Sequence, residues 1–374
     1  MKKLLVLLLI SSLMLTSGCW DSREIEQRLF VTAIAVDINE EVQEGNVNRL
    51  IVTYKYPNIN TIGKNSDGGH INFTLSVPAS GISQASTAFM GEAPFPFYFK
   101  HLKVIIFSKE LLEHEELVRH ILDELNRSPQ INKRARIAVT EGKARDVLKV
   151  TAGQEYRTEG GIYQVLRSNK FTNRFTVKSL TDLITDFDVA GVTIVPRISI
   201  VSGKFVVSGG CILKNYKFLA WVDQNHNRAI NIMNGIIGLE NIDTIYNGTL
   251  LSYAVTRGYS RKKVTFDDGI TVRFDIKLQG YLQGYNISQK NQVYDEKTLE
   301  DIENNIEEEL EKKILETRKF LDEIGAPLFG VGEHMSKFHP KMWKQVKDNW
   351  QEMMPEVKFQ LNIDVNIRRT GLTK

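Results

Sequence analysis

The last third of the chain carries the pattern that leaves the fewest folds open. Ile270, Val272, Phe274, Ile276 and Leu278 alternate with Thr271, Arg273, Asp275 and Lys277, so an extended segment there has one apolar and one charged face. Leu299, Ile302, Ile306, Leu310 and Ile314 then recur at helical spacing, with Glu308 and Lys312, and Glu309 and Lys313, as outward pairs one turn apart. Trp343, Val346 and Trp350 repeat a helical stripe between Pro340 and Pro355, which reads as core. Val357, Phe359, Leu361, Ile363, Val365 and Ile367 return to strict alternation. Strands and helices that each bear one apolar face hide those faces against one another, which predicts a compact α+β unit. The charged run at 300–313 keeps its apolar stripe, so it is the wet side of a packed helix.

The preceding residues mix the same two periods. Residues 30–36 and 103–107 form nearly continuous apolar runs, as strands covered on both faces require. Leu50, Val52, Tyr54 and Tyr56 alternate up to Pro57, and Ile71, Phe73, Leu75 and Val77 alternate up to Pro78. Leu117, Val118, Ile121, Leu122 and Leu125 share a helical face closed by Ser128-Pro129. Short helices are expected at 81–90 and 144–150, and a short strand at 136–140. A polar, glycine-bearing stretch at 151–161 predicts a domain boundary. Beyond it the pattern gives a helix at 177–187 and a strand at 193–201. Three short strands follow near 204–208, 211–214 and 218–222, then turn chemistry at 223–227 and a helical or turn segment at 228–233. No internal repeat is present. The expected architecture is α+β, with three consecutive mixed domains at 19–155, 156–245 and 246–374, each a β-sheet flanked by helices.

Residues 1–18 belong to none of these. Lys2 and Lys3 precede an apolar-leaning run from Leu4 to Leu15, and Thr16-Ser17-Gly18 leads to Cys19. The run suits a secretory leader of roughly 7–15 apolar residues, whereas a spanning helix needs about 20. Small residues before a cysteine predict cleavage ahead of Cys19 and transfer of a diacylglyceryl group to its thiol. One acyl chain anchors only marginally at roughly 0.8 kcal/mol per buried CH₂, and two hold firmly. The competing readings are an ordinary cleaved leader with a chance cysteine and an uncleaved anchor.

Loss of Lys2 and Lys3 with the leader lowers the formal charge from +3 to +1. So balanced a surface gives no ground for a nucleic-acid partner. With Cys19 acylated, Cys211 is the only other cysteine, so no internal disulfide is available. Flanked by Gly209-Gly210 and Ile212-Leu213, it reads as an inert thiol in a strand.

No familiar catalytic pattern assembles along the sequence. The histidines at 70, 101, 114, 120, 226, 334 and 339 form no His-Glu-x-x-His pair, and no Cys-x-x-Cys exists to complete a zinc site. Glu333-His334 with His339 meets a metal only by accident of folding. No Gly-x-Ser-x-Gly elbow occurs. Gly63-Lys64-Asn65-Ser66 lacks the glycine spacing of a phosphate loop, and Asp67-Gly68-Gly69 reads as a hairpin turn. No catalytic residue, metal or cofactor is assigned. Phe95, Phe97, Tyr98 and Phe99 cluster around Pro94 and Pro96, either as a protein-contact loop or as rings that cap the core.

Three stretches together carry a family resemblance. They are Gly18-Cys19-Trp20-Asp21-Ser22-Arg23-Glu24-Ile25 with the following 30–37, then His101-Leu102-Lys103-Val104-Ile105-Ile106. The third is Phe329-Gly330-Val331-Gly332-Glu333 with Trp343, Trp350 and the terminal Ile367-Arg368-Arg369-Thr370-Gly371. The chain resembles the Ger(x)C family, the C-subunit lipoproteins of spore germinant receptors. The resemblance implies a non-enzymatic, lipid-anchored subunit with three α/β-type domains, on the outer face of the spore inner membrane. It implies assembly with a receptor A subunit and a transporter-like integral B subunit, and a part in committing the spore to germinate on sensing small nutrients. Cys19 is the one functional residue carried over, as the lipid-bearing cysteine. A substrate-binding lipoprotein of a nutrient importer is the alternative, though such proteins show two similar lobes. A cell-wall hydrolase is a third reading and would need a carboxylate pair.

Overall fold

The computed structural model describes residues 27–41, 45, 47–58, 72–91, 93–150, 161–168, 173–267, 269–283 and 296–369. The first part runs β1 (Leu29–Phe30), β2 (Ala33–Ile38), β3 (Leu50–Pro57), β4 (Asn72–Ala79), α1 (Ile82–Ala88), β5 (Phe97–Tyr98) and β6 (Val104–Ser108). It continues through α2 (Glu115–Arg127), β7 (Arg136–Thr140), α3 (Ala144–Val150), α4 (Gly161–Arg167), β8 (Lys178–Ser179) and α5 (Leu180–Ala190). Then come β9 (Val192–Val201), β10 (Lys204–Lys214), β11 (Lys217–Val222) and α6 (Gln224–Met233). The last part holds β12 (Glu240–Tyr246), β13 (Thr249–Thr265), β14 (Thr271–Gln283) and α7 (Glu296–Glu323). It closes with α8 (Val331–Phe338), α9 (Pro340–Val346), α10 (Trp350–Met353) and β15 (Lys358–Arg369).

The apolar runs at 30–36 and 103–107 become β2 and β6, central strands of a nine-stranded sheet ordered β11-β10-β9-β7-β6-β2-β3-β4, with β8 beside β7. Strands β2, β6, β7 and β9 are mutually parallel in the middle, and antiparallel hairpins extend both flanks. Period-2 alternation explains the double burial. Ile34, Val36, Ile105 and Phe107 point to a core with α1, α2 and α5, while Ala33, Ala35, Val104 and Ile106 point to a second core with α3 and α4. Ser179 opens α5 through a reciprocal cap with Asp182, and Gly191, in the left-handed conformation, closes it.

The C-terminal alternation becomes β14 and β15 of a four-stranded sheet, β12-β13-β14-β15, whose last pair is parallel. Ile302, Ile306, Leu310 and Ile314 of α7 lie on its inner face with Phe274, Ile276 and Leu278. The outer edge strand is not left bare. Glu307 accepts from the Val365 amide at 2.8 Å and Glu303 from the Ile367 amide at 2.6 Å.

The α+β class therefore holds, with a grouping of elements that the sequence did not display. The expected boundary at 155/156 lies among residues outside the described set. On its far side β9–β11 extend the first sheet, in register through Val139 with Arg197 and Thr140 with Ile198. Val195, Cys211 and Leu213 face the first core, whereas Val192, Ile194 and Ile212 face the C-terminal core together with α6. Residues expected as a middle domain are thus divided between two cores. The strands expected near 204–208 and 211–214 are one strand, β10, interrupted by a bulge at Gly209 (φ +67°). A Cβ at Gly209 would stand 2.2 Å from the Val222 carbonyl, so glycine is required there. Among the described residues no helix is long and apolar enough to cross a membrane.

Candidate functional site

Cys19 lies outside the described residues, as do the turn at Asp67-Gly68-Gly69 and the stretch at Gly63-Lys64-Asn65-Ser66. The described chain starts beside β1, which pairs with β5 and so sits against the aromatic cluster singled out in the sequence. Phe97 and Phe99 pack with Tyr54 and Phe89 at centroid distances of 5.1–5.5 Å, and the Tyr54 hydroxyl donates to the Ile82 carbonyl at 2.6 Å. Burial pushes that phenol well above its ordinary value. Of the cluster only Phe95 is exposed, at 38%. Most of these rings close the core. Cys211 is fully buried in β10, and burial raises its thiol well above the usual range.

The Phe329-Gly330-Val331-Gly332-Glu333 stretch forms the turn into α8, at the seam between the two sheets. Phe329 is buried against Phe359 at 5.9 Å. Gly330 caps α8 at φ +64°, and a Cβ there would lie 2.3 Å from Asn234 Oδ1 and 2.7 Å from Lys262 Nζ. A Cβ on Gly332 would lie 2.9 Å from Trp350 Nε1 and 3.0 Å from Trp343. Gly332 therefore lets α8 lie close against a tryptophan pair packed edge to face at 5.5 Å, while Gly330 makes room for Asn234 and Lys262. Asn234 holds the turn from outside. Its amide donates to the Leu328 carbonyl at 2.8 Å and its oxygen accepts from Lys262 Nζ at 2.8 Å. Two more bonds cross the seam, Lys214 Nζ to the Gly325 carbonyl at 2.9 Å and Gln351 Nε2 to the Ala190 carbonyl at 3.1 Å.

Above this turn lies a cleft of about 390 Å³ whose walls include Lys178, Asp182, Asp186, Lys262, Glu333 and His334. Burial pulls the Lys262 ammonium down to about 8, with Glu333 opposing. Burial, Lys262 and His339 together lower the His334 imidazole. Asp186 is engaged by Lys178 at 2.8 Å and by the Thr193 hydroxyl at 2.5 Å. Asp182 accepts from the Ser179 amide and hydroxyl, each at 2.8 Å. The walls offer both signs of charge, but each carboxylate among these two aspartates already serves a neighbour.

The other perturbed groups have structural partners too. Burial raises the Asp37 carboxyl, which accepts from the Ala144 and Arg145 amides at 2.6 and 2.9 Å at the start of α3. Burial raises Glu307, held by the Val365 amide, and Asp322, paired with Arg318 at 3.3 Å. His226 bonds Thr317 at 3.0 Å and stacks on Phe320, while His339 meets Phe266 and His334 meets Phe338. Among the described residues no three His, Cys, Asp or Glu side chains group as metal ligands do. Sequence reasoning missed Asn234 and Lys262, which stand 28 positions apart and carry no pattern linking them.

Two family models together span most of the chain. "Spore germination protein N-terminal domain" matches residues 21–200, and "Spore germination B3/GerAC like, C-terminal" matches 208–371. The gap between them falls at the β9–β10 hairpin, where the two cores share strands. Among curated proteins of Bacillus subtilis (strain 168), the chain is 22% identical to spore germination protein YndF over 384 residues, covering 96% of this chain and 94% of that protein. It is 22% identical to spore germination protein A3 over 375 residues, covering 97% of each. It is 23% identical to spore germination protein B3 over 379 residues, covering 95% and 94%. The crystal structure of the GerBC protein superposes with a TM-score of 0.60 at 18% identity, over 90% of this chain and 97% of that one, which establishes a shared fold.

Proposed function

This chain belongs to the Ger(x)C family of spore germination proteins, and from that premise we propose that it is the lipid-anchored, non-catalytic subunit of a spore germinant receptor. The observation that carries the reading is the match of both family halves along one chain, with the apolar-leaning run from Leu4 to Leu15 and Cys19 ahead of them in the sequence. Acylation of Cys19 holds the body on the outer face of the spore inner membrane. There it meets the receptor A subunit and the transporter-like B subunit. Two acyl chains give a stable anchor, and confinement to a thin layer raises the effective concentration of partners that would bind weakly in solution.

The fold suits assembly and signal relay more than turnover. The Asp37 and Glu307 carboxylates hold a helix start and a strand edge, and the seam is tied by hydrogen bonds from Lys214 on β10 and Gln351 on α10. A displacement of either sheet would be felt by the other through β9 and β10, which face both cores.

The test is a Cys19→Ala chain in spores. The expected result is loss of membrane retention, of co-purification with a multi-span partner and of the nutrient response, with growth unchanged. A variant that stays membrane-bound and fully responsive contradicts the anchor. Strong stand-alone binding of amino acids or sugars would favour an importer's binding protein instead.

A further inference from the structure

The first sheet is electrically polar along its strands. β2, β6 and β7 run parallel and start level, with Ala33, Val104 and Arg136 in register. Basic residues gather where they start: Arg28 ahead of β2, Lys100 and Lys103 ahead of β6, Arg134 and Arg136 at β7. The backbone binds these segments together, through the Lys103 amide to the Thr32 carbonyl at 2.9 Å and the Arg136 amide to the Lys103 carbonyl at 2.8 Å. No acidic residue occurs between Glu92 and Glu110 or between Glu124 and Glu141. The opposite ends carry acid, with Glu40 after β2, Glu110 and Glu113 after β6, and Glu141 after β7.

The pairing differs between the two ends as well. At the acidic end Lys143 is held by Glu40 and Glu110, Lys109 by Glu113 at 3.1 Å and Arg197 by Glu141 at 2.6 Å, while Arg49, exposed beside Asn39, forms no ion pair among the described residues. At the basic end, among the described residues, Arg28, Lys100, Arg134 and Arg136 form no ion pair, and Lys100 and Arg134 are exposed. Asp182 and Asp186 near this end are turned to Ser179 and Lys178. Arg28 lies over Tyr98 at 5.1 Å, and exposed Phe95 stands beside it in the loop.

The chain reaches this same end from Cys19. The eight residues from Cys19 to Glu26 span at most about 28 Å when fully extended. A lipid on Cys19 thus joins the body at its basic end, with the acidic end roughly one strand length, about 17 Å, farther from the point of attachment. We infer that the starting ends of β2, β6 and β7 form a docking surface for the anionic phospholipid headgroups of the membrane. The inference rests on the lipid-anchor reading and deepens it, by giving the anchored body an orientation. Each cation brought to an anionic surface strengthens contact about fivefold, an attraction that fades within a screening length of about 8 Å.

Acylated full-length chain in vesicles tests it. Because Cys211 is buried and Cys19 is acylated, single thiol labels at Phe95→Cys and Glu113→Cys report the two ends separately. The expected result is severalfold stronger quenching by a headgroup-attached quencher at position 95 than at 113, on vesicles containing phosphatidylglycerol. That contrast should shrink on pure phosphatidylcholine and in Lys100→Glu/Arg134→Glu, whose exposed positions leave the fold intact. Equal quenching at both ends, or no response to lipid charge or to the double variant, overturns the inference. So does contrast that emerges only after Asp21, Glu24 and Glu26 are neutralised, since the acidic tether would then be the occupant. Flotation with phosphatidylcholine vesicles reports the acyl anchor alone, so its failure is distinguishable from failure of the docking surface.

Discussion

In the first sheet β2, β6 and β7 are buried on both faces and their charges stand at the strand ends. In the C-terminal sheet, β13 and β14 bury one face and carry charge along the other, with Arg257, Tyr259, Arg261 and Lys263 exposed on β13. There Arg273 pairs with Asp275 at 2.9 Å and Lys277 with Asp364 at 2.5 Å, whereas Arg257, Arg261 and Lys263 form no ion pair among the described residues. A sheet covered on both faces has only its ends to show to solvent, so any net sign collects at one rim. A half-covered sheet spreads its charge and mixes it. The first arrangement orients a body against a charged plane, and the second offers a broad polar face.

The comparison breaks most readily at the cores. Phe274→Ala empties the C-terminal core and should cost about 3–5 kcal/mol, read by urea unfolding. Because β9 and β10 face both cores, the first sheet should lose stability in the same transition. Two separated transitions would instead mark two independent bodies. Gly330→Ala comes next. It meets Asn234 and Lys262 in a left-handed turn, and a loss of about 2 kcal/mol is expected from strain and the displaced bond.

Lys262 supplies a pH signature of the seam. Its ammonium titrates near 8 when folded and higher when unfolded, so the folded state binds fewer protons between those values. Its burial cost is complete below pH 8 and is relieved as pH rises toward 10.5. Wild type should gain stability across that window relative to Lys262→Met. A parallel pH profile for the two would remove the buried ammonium from the account. The smallest effect belongs to a local feature. Asp223 accepts from the Asn225 and His226 amides at 3.0 and 2.9 Å to start α6, so Asp223→Ala should cost about 1 kcal/mol in the same unfolding assay.

What could be read from the sequence follows the same division. β14, α7 and β15 were legible because a one-sided element writes its period into the chain. β2 and β6 were legible as unbroken apolar runs, though not their neighbours. The register of β7 with β9 joins residues some 58 positions apart through two facing pairs, and no local pattern encodes it. The β12–β13 hairpin escaped notice because Ile245 and Leu250, 63% and 64% exposed at its tip, break the expected inside-outside alternation. Gly209 split one strand into two apparent ones. The paired glycines of the α8 turn were visible as a family resemblance, while the packing of Gly330 against Asn234 and Lys262 and of Gly332 against Trp343 and Trp350 needed the fold.

The mass of the mature N-terminal peptide, recovered from the native membrane, tests the central claim most directly. The account predicts a chain beginning at Cys19 and heavier than its sequence by a diacylglyceryl group. An unmodified Cys19, or a mature end elsewhere, would contradict the anchor and with it the orientation of the first sheet.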